Sequence, residues 1–157
     1  MTDRPTQYSN TDLDLKSKSS LELLASELQS SCCVLHCAKG DDDNWHMTIE
    51  SDNDVNTCDS NASIDIPLML DSISGLTSAA RRQFDACYFR DFNIGVECWD
   101  TWAYNHGVSA ALVRRIADAG CSLSFTVYPG RHPDGRPRDD DDGGYPSDAP
   151  ESPSRAF

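Results

Sequence analysis

The residues best suited by type to chemistry are the cysteines and histidines of one short segment. Cys33, His36 and Cys37 form a Cys-x-x-His-Cys sequence, the closest approach to a metal-binding motif in the chain. A structural zinc site needs four converging ligands, usually supplied as two spaced pairs, and His46 and Cys58 are isolated. If the segment is a strand, Cys33 and Cys37 share one face and His36 points away. Small thiols buried in a core strand are therefore favoured over a metal site, and we predict no metal and no cofactor.

A cysteine nucleophile is the second chemical possibility, and it requires a base beside a thiol of lowered pKa. Cys98 with His106, and Cys121 with His36, are the available combinations. The strand pattern places Cys98 on an inward face, and Cys121 opens a strand beside a helix end, which favours inert core thiols. The chain contains no P-loop, Gly-x-Gly-x-x-Gly or Gly-x-Ser-x-Gly sequence, so nothing indicates nucleotide binding or serine hydrolysis. We predict a protein without catalytic residues that is not an enzyme.

The carboxylates of the chain are abundant, but the most conspicuous ones are consecutive. Asp41, Asp42 and Asp43 form one run, and residues 139–142 form another. Consecutive loop carboxylates do not converge on one reaction centre, and the ligand spacing of a calcium-binding loop is absent. Solvated loops explain both runs, and the first run is a candidate contact for a basic partner.

The segment WDTWAYNHG, residues 99–107, joins a predicted strand to a predicted helix and holds two of the three tryptophans. Tryptophan and tyrosine are enriched at interface hot spots, because they join a large apolar area to one polar group. Two interpretations stay open, a lid packed over the core and a surface that grips a basic partner. The residues predicted to contact a partner are Asp41, Asp42, Asp43, Glu97, Trp99, Asp100, Trp102 and Tyr104.

Length and charge limit the classes of function. A chain of 157 residues suits one domain with tails. The net charge of −13, from 26 acidic and 13 basic residues, argues against nucleic acids and anionic membrane surfaces as partners and permits a basic protein. No apolar run reaches the length of a membrane span, and the N-terminal sequence has no apolar signal region. The seven cysteines, an odd number, are read as reduced thiols of a cytoplasmic protein.

The strands that must position these residues follow from alternation of apolar side chains. Leu13 and Leu15 alternate with aspartates in the first predicted strand, and Met47 and Ile49 follow Trp45 on one face of another. In the fourth predicted strand, Phe92, Ile94, Val96 and Cys98 share a face, and in the last one Leu123, Phe125 and Val127 alternate inward. The predicted strands cover residues 11–16, 31–38, 45–50, 86–99 and 121–129.

Three helices are predicted from apolar spacing and capping residues. The first carries Leu21, Leu24 and Leu28 behind a capping box formed by Ser19 and Glu22. The second begins near Pro67 with Asp65 as its cap, and it resumes after an interruption at Gly75. The third is capped by Ser109, carries Leu112, Val113, Ile116 and Ala117 as an apolar stripe, and ends at Gly120 in a left-handed conformation.

The element order β-α-β-β-α-β-α-β predicts an α+β fold. We expect a mostly antiparallel sheet of about five strands with helices packed on one face. Residues 8–129 form the single predicted domain, after a flexible N-terminus of residues 1–7. Residues 130–157 are rich in Pro, Gly, Asp and Ser and almost lack aliphatic side chains, so we predict a disordered acidic tail there.

The sequence resembles the bacterial DUF4279 family over most of residues 12–129. The resemblance rests on the segment from Lys39 to Trp45, on the helix that carries Ser109, Leu112, Ile116 and Gly120, and on the alternating strand that ends at Tyr128. It implies a small cytosolic α+β domain and no catalytic residues. By size and charge the chain is also similar to immunity proteins of bacterial toxin–immunity systems.

These observations predict a non-catalytic acidic binding protein of the bacterial cytoplasm. Its expected role is that of an immunity protein, an inhibitor that occludes a cognate basic toxin or effector. One alternative is a small metal-dependent or cysteine-based enzyme that uses Cys33, His36 and Cys37. The other is a homo-oligomeric scaffold in which the open face of the sheet pairs in a homodimer.

Overall fold

The computed structural model describes residues 5–52, 61–132 and 136–138. These residues form five strands and four helices, which confirms the predicted α+β fold. Cys58 and residues 139–157, which make up most of the predicted tail, lie outside the described ranges. In chain order the elements are β1 Gln7–Ser17, α1 Glu22–Leu28, β2 Cys32–Lys39, β3 Trp45–Ser51, α2 Ala62–Ser74, α3 Ser78–Asp85, β4 Phe89–Cys98, α4 Ala110–Asp118 and β5 Ser122–Pro129.

The strands form one mixed sheet in the order β2-β3-β1-β4-β5. Three of the four pairings are antiparallel, as the sequence predicts. The fourth, between β4 and β5, is parallel, because a helix-containing connection through α4 returns the chain in the same direction. The two edges of the sheet are therefore β2 and β5.

One face of the sheet is buried beneath the helices. Leu13, Leu15, Met47, Ile49 and Phe92 are almost fully buried on that face. They belong to a single apolar cluster that includes side chains from all four helices. The opposite face carries the alternate residues of each strand and has no helical layer, and we call it the open face. None of the described helices combines the length and apolar content needed to cross a membrane.

The first two helices begin at other residues than predicted. The Ser19–Glu22 capping box is wrong, because the hydroxyl of Ser20 accepts the hydrogen bond from the backbone amide of Glu22. The second predicted start is also wrong. Asn61 caps α2 by accepting from the amide of Ser63 at 2.9 Å, and Asp65 lies buried inside the first turns.

The boundaries of the last helix are those predicted. The side chain of Ser109 accepts a hydrogen bond from the amide of Leu112. Gly120 follows the helix with φ +68°, and Cβ of any other residue there would lie 2.8 Å from the guanidinium of Arg90. The predicted stripe is only half right, since Leu112 and Ile116 are buried whereas Val113 and Ala117 are exposed.

Three strand residues that the sequence predicted to be inward-facing, Phe125, Val127 and Cys98, are exposed. Phe125 and Val127 are 52% and 59% exposed, although they lie on the helical side, because the helical layer does not extend over the whole of β5. Cys98 is exposed at the end of β4. In β2, a register shift between Val34 and His36 separates Cys33, which is exposed, from Cys37, which packs against the core.

Candidate functional site

Four carboxylates lie side by side at the centre of the open face. Asp12 and Asp14 alternate along β1, directly opposite Asn93 and Asp91 of β4. On the other side, Asp14 faces Thr48 of β3, and Asp12 shares a hydrogen bond with Glu50. Three neighbouring strands thus bring Asp12, Asp14, Glu50 and Asp91 together, and we call these four residues the acidic cluster.

Asp12 and Glu50 form a carboxyl–carboxylate pair. Burial raises the pKa of Asp12 to about 7, and the hydrogen bond and the negative charge of Glu50 act in the same direction. Like charges opposite each other on neighbouring strands are destabilising, so the pair holds a proton that isolated carboxyls would release at much lower pH. The amide nitrogen of Asn10 donates to Asp12 at 3.0 Å and to Glu50 at 2.9 Å and bridges the two groups.

The position of Asn10 depends on an irregularity in β1 and on a glycine in β4. The register between β1 and β4 shifts between Tyr8 and Thr11, which places Asn10 directly over Gly95. Cβ of any other residue at 95 would lie 2.3 Å from the side-chain oxygen of Asn10. The absent side chain of Gly95 therefore makes room for the amide that joins the carboxyl pair.

Hydroxyl groups, and not basic side chains, satisfy the other two carboxylates of the acidic cluster. Thr48 donates to Asp14 at 2.7 Å. Ser122 and Ser124 of β5 both donate to Asp91, Ser124 at 2.5 Å. These hydrogen bonds stabilise the carboxylates but leave their negative charge in place.

The charge on the open face is strongly one-sided. Of the strand residues, all of which the structure describes, Lys16 is the only lysine or arginine on this face. It lies at one end of β1, with its ammonium 5.4 Å from the centre of the Phe89 ring. Glu97 adds a carboxylate towards the other end and accepts from the side chain of Gln7. The face can therefore attract cationic groups over most of its length.

The loop of residues 99–107, which we call the aromatic loop, is fastened at its start. The Thr6 hydroxyl accepts from the amide of Trp99 at 2.9 Å and donates to its carbonyl oxygen at 3.3 Å. The Trp99 ring occupies the space where Gly130 lacks a side chain, since a Cβ there would lie 2.4 Å from the ring. Asp100 pairs with Arg131 through two hydrogen bonds, which lower the pKa of its carboxyl.

The middle of the loop presents a tryptophan to solvent. Trp102 is 100% exposed. It therefore does not pack as a lid over the core, which was one of the two interpretations of this segment. Tyr104 is 38% exposed, and its hydroxyl is 3.2 Å from Nδ1 of His106. The His106 ring stacks between Tyr8 and Tyr104, with centroid distances of 5.8 and 6.1 Å. This stack fixes the far end of the loop.

The predicted contacts Asp41, Asp42 and Asp43 form the turn between β2 and β3. Asp42 is bound within the turn, because it accepts from the amide of Asn44 and lies 2.9 Å from Nε2 of His46. These hydrogen bonds hold the pKa of Asp42 far below its usual range. The carboxylate of Asp43, whose φ is +63°, is 2.7 Å from the ammonium of Lys39.

The structure does not bring all the predicted contact residues together. The turn that holds Asp41, Asp42 and Asp43 lies beside the C-terminal end of β1, where Ser17 pairs with Trp45. Glu97 and the aromatic loop lie at the other end, where Glu97 pairs with Gln7. The two ends are ten residue steps apart along β1, which is about 33 Å in a regular strand. The sequence predicted both groups but not the acidic cluster, which lies between them.

No described cysteine has the neighbours that the chemical alternatives require. The register shift in β2 puts Cys33 and Cys37 on opposite faces, and the described residues contain no group of three or more His, Cys, Asp or Glu side chains suited to a metal ion. Cys98 contacts the carbonyl oxygen of Trp99. Burial raises the pKa of Cys121 to about 11, which is opposite to the shift of an activated thiol.

Two cavities lie among the helices. One of about 870 Å³ is lined by residues of α1, α2 and their connections, and one of about 240 Å³ is lined by residues of α2, α3 and α4.

Comparison with known proteins adds no relative. No protein-family model matches the chain, and no curated protein and no solved structure gives a significant match. The resemblance to the DUF4279 family stays a prediction.

Proposed function

We propose that the chain is a non-catalytic acidic binding protein that captures a basic protein, in the manner of a bacterial immunity protein that occludes a toxin or effector. The observation that carries this proposal is the acidic cluster on the open face. Asp12, Asp14, Glu50 and Asp91 occupy neighbouring positions of the sheet, and no lysine or arginine of the described strands lies among them.

A basic partner fits this face for an energetic reason. Concentrating carboxylates on neighbouring strands is unfavourable for the isolated protein. Burial is the main cause of the raised pKa of Asp12, and the negative charges of Glu50 and Asp14 raise it further. Lysine or arginine side chains of a partner would relieve that repulsion on binding. The net charge of −13 would further speed the encounter through long-range attraction.

The aromatic loop supplies an apolar contact next to the acidic surface. Trp102 is fully exposed, whereas Trp99 and His106 hold the two ends of the loop against the rest of the fold. A fixed loop loses less conformational freedom on binding than a mobile one. Glu97, at the end of the open face nearest the loop, connects the two surfaces.

We place the protein in the cytoplasm, where its thiols would stay reduced. The six cysteines that the structure describes are all free. In this proposal, Asp41, Asp42 and Asp43 contribute attraction at a distance, because they lie at the end of the sheet remote from Trp102.

The proposal is tested by neutralising the acidic cluster. We expect the triple variant Asp12→Asn, Asp14→Asn, Glu50→Gln to bind an oligolysine peptide at least about tenfold more weakly than the original chain. The variant lacks carboxylates that attract the ammonium groups of the peptide. Calorimetry at about 50 mM and about 500 mM salt measures this, and the affinity should fall with salt. In cells, the same variant should fail to protect against a toxin encoded beside the gene.

A matched control removes three carboxylates from the helical side with Glu22→Gln, Asp85→Asn and Asp118→Asn. It loses at least as much charge as the cluster variant, in which Asp12 is already partly protonated near neutral pH. Equal weakening by the two triple variants would show that only net charge matters. Gene neighbours without a toxin would argue against the immunity role.

A further inference from the structure

The outer edge of β5 differs in character from the acidic cluster, although Ser122 and Ser124 of this strand donate to Asp91 on the open face. β5 pairs with β4 on one side, and no other described strand pairs with it. Its eight residues, SLSFTVYP, contain no charged side chain, although a quarter of the chain is charged. They pair with β4 without any register shift. The edge is therefore long, regular and neutral.

Such an edge is unusual for a strand that faces water. Natural sheets protect their edges with charged residues, bulges, prolines or very short strands. The other edge, β2, has a register shift beside His36 and ends at Lys39. β5 has only Pro129, at its last position. The contrast between the two edges indicates that β5 is covered by another strand.

The apolar side chains of β5 support the same conclusion. Phe125 and Val127 pair with Ile94 and Val96, which are buried beneath the helices. The apolar surface of the core thus continues to the edge, where Phe125 and Val127 are more than half exposed. A strand added there would extend the sheet and cover both side chains.

We propose that β5 pairs with β5 of a second copy of this chain in an antiparallel, twofold-symmetric dimer. A twofold axis perpendicular to the sheet at Thr126 sets Phe125 of each copy opposite Val127 of the other. Both residues then lie on the helical side, as antiparallel register requires. The two sheets become one of ten strands, and both open faces stay accessible.

The absence of charged side chains on β5 favours a second copy of the chain as the strand that pairs with this edge. A basic partner would find no carboxylate on β5 to pair with, whereas a self-complementary neutral edge needs none. With strands about 4.8 Å apart, the two β4 strands lie three spacings apart, about 14 Å, and the two β1 strands lie five spacings apart, about 24 Å. Both separations exceed the screening length of about 8 Å at physiological salt, so repulsion between the copies is weak.

The dimer is tested on the full chain by sedimentation equilibrium. Because an edge-to-edge contact is small, we expect a dissociation constant on the order of 10 μM, with a limiting mass twice the 17.3 kDa of the monomer. Raising the salt from about 50 to about 500 mM should strengthen the dimer, because repulsion between the like-charged copies is screened less at the lower salt. This salt dependence is opposite in sign to that of the oligolysine complex, so the two proposals fail separately.

Matched variants locate the interface. Phe125→Lys and Val127→Glu should each weaken the dimer at least about tenfold, and a mixture of the two should dimerise again, because the opposite charges meet across the axis. Leu35→Lys is the control, since Leu35 is 53% exposed on the other edge strand. Circular dichroism checks that each variant is folded.

Three results would overturn the proposal. The first is a chain that stays monomeric at about 200 μM, twenty times the expected dissociation constant. The second is a dimer that Leu35→Lys breaks but Phe125→Lys does not. The third is a mixture of the Phe125→Lys and Val127→Glu variants that stays monomeric. Hydrogen exchange gives an independent readout, since amides of β5 should become more protected as the concentration of the original chain rises.

Discussion

At the scale of single residues, Asp12 shows how a neighbour changes the chemistry of a side chain. Its carboxyl faces Glu50 and Asp14 in a half-buried setting, and its pKa rises to about 7. Asp42 is exposed, receives hydrogen bonds from Asn44 and His46, and its pKa is lowered. Both are aspartates of the same chain, so burial and hydrogen-bonding partners, and not the residue type, decide the direction of the shift.

The raised pKa of Asp12 makes stability depend on pH. In the unfolded chain Asp12 releases its proton near pH 4, whereas in the fold it does so near pH 7. The folded state therefore binds more protons between these values, and its contribution to stability is lost as pH rises through that window. Relative to the original chain, Asp12→Asn should be unchanged below about pH 4 and more stable above about pH 7, by about 1–2 kcal/mol after allowing for solvent screening.

Urea unfolding at several pH values measures this difference. Asp41→Asn, in the exposed turn, serves as the control and should show no such pH-dependent gain. A constant difference between Asp12→Asn and the original chain from pH 4 to pH 8 would contradict the shared proton.

The two tryptophans of the aromatic loop should respond differently to truncation. Trp102→Ala should change the free energy of unfolding by less than about 0.5 kcal/mol, because the side chain is fully exposed. Trp99→Ala should cost about 2 kcal/mol, since its ring fills the space beside Gly130. Denaturant unfolding of both variants measures the contrast, and equal losses would show that Trp102 packs against the fold.

At the scale of elements, irregularities in the strands determine which side chains meet. The shift in β1 carries Asn10 to the carboxyl pair, and the shift in β2 moves Cys33 away from Cys37. Bulges commonly re-aim side chains in this way. Alternation in the sequence assumes a regular strand, so it fails after such a shift.

Gly95 links the bulge of β1 to the acidic cluster, and its substitution tests that link. Gly95→Ala should cost about 1–2 kcal/mol, because the new Cβ would displace the Asn10 amide that bridges Asp12 and Glu50. In an Asn10→Ala background the same change should cost little, since a small side chain leaves room for the methyl group. A double-mutant cycle by thermal unfolding measures the coupling, and additive losses would contradict the role of Asn10.

At the scale of the whole molecule, the two faces and the two edges of the sheet differ in character. One face is a core beneath four helices, and the other carries the acidic cluster. One edge, β2, is interrupted and ends in a lysine, and the other, β5, is regular and neutral. The proposed basic partner and the proposed second copy therefore use separate surfaces, and salt should weaken the first complex and strengthen the second.

The sequence by itself determined the α+β class, the apolar face of each main strand, the capping of α4 by Ser109 and its end at Gly120. These features are local, since they follow from alternation and from backbone conformation within a few residues. Alternation in the sequence also placed Asp12 and Asp14 on one face of β1 and Leu13 and Leu15 on the other. Only the tertiary structure placed Glu50 and Asp91 beside them, because strand order and register depend on packing between distant segments. The exposure of Phe125 was likewise decided by which strand became the edge.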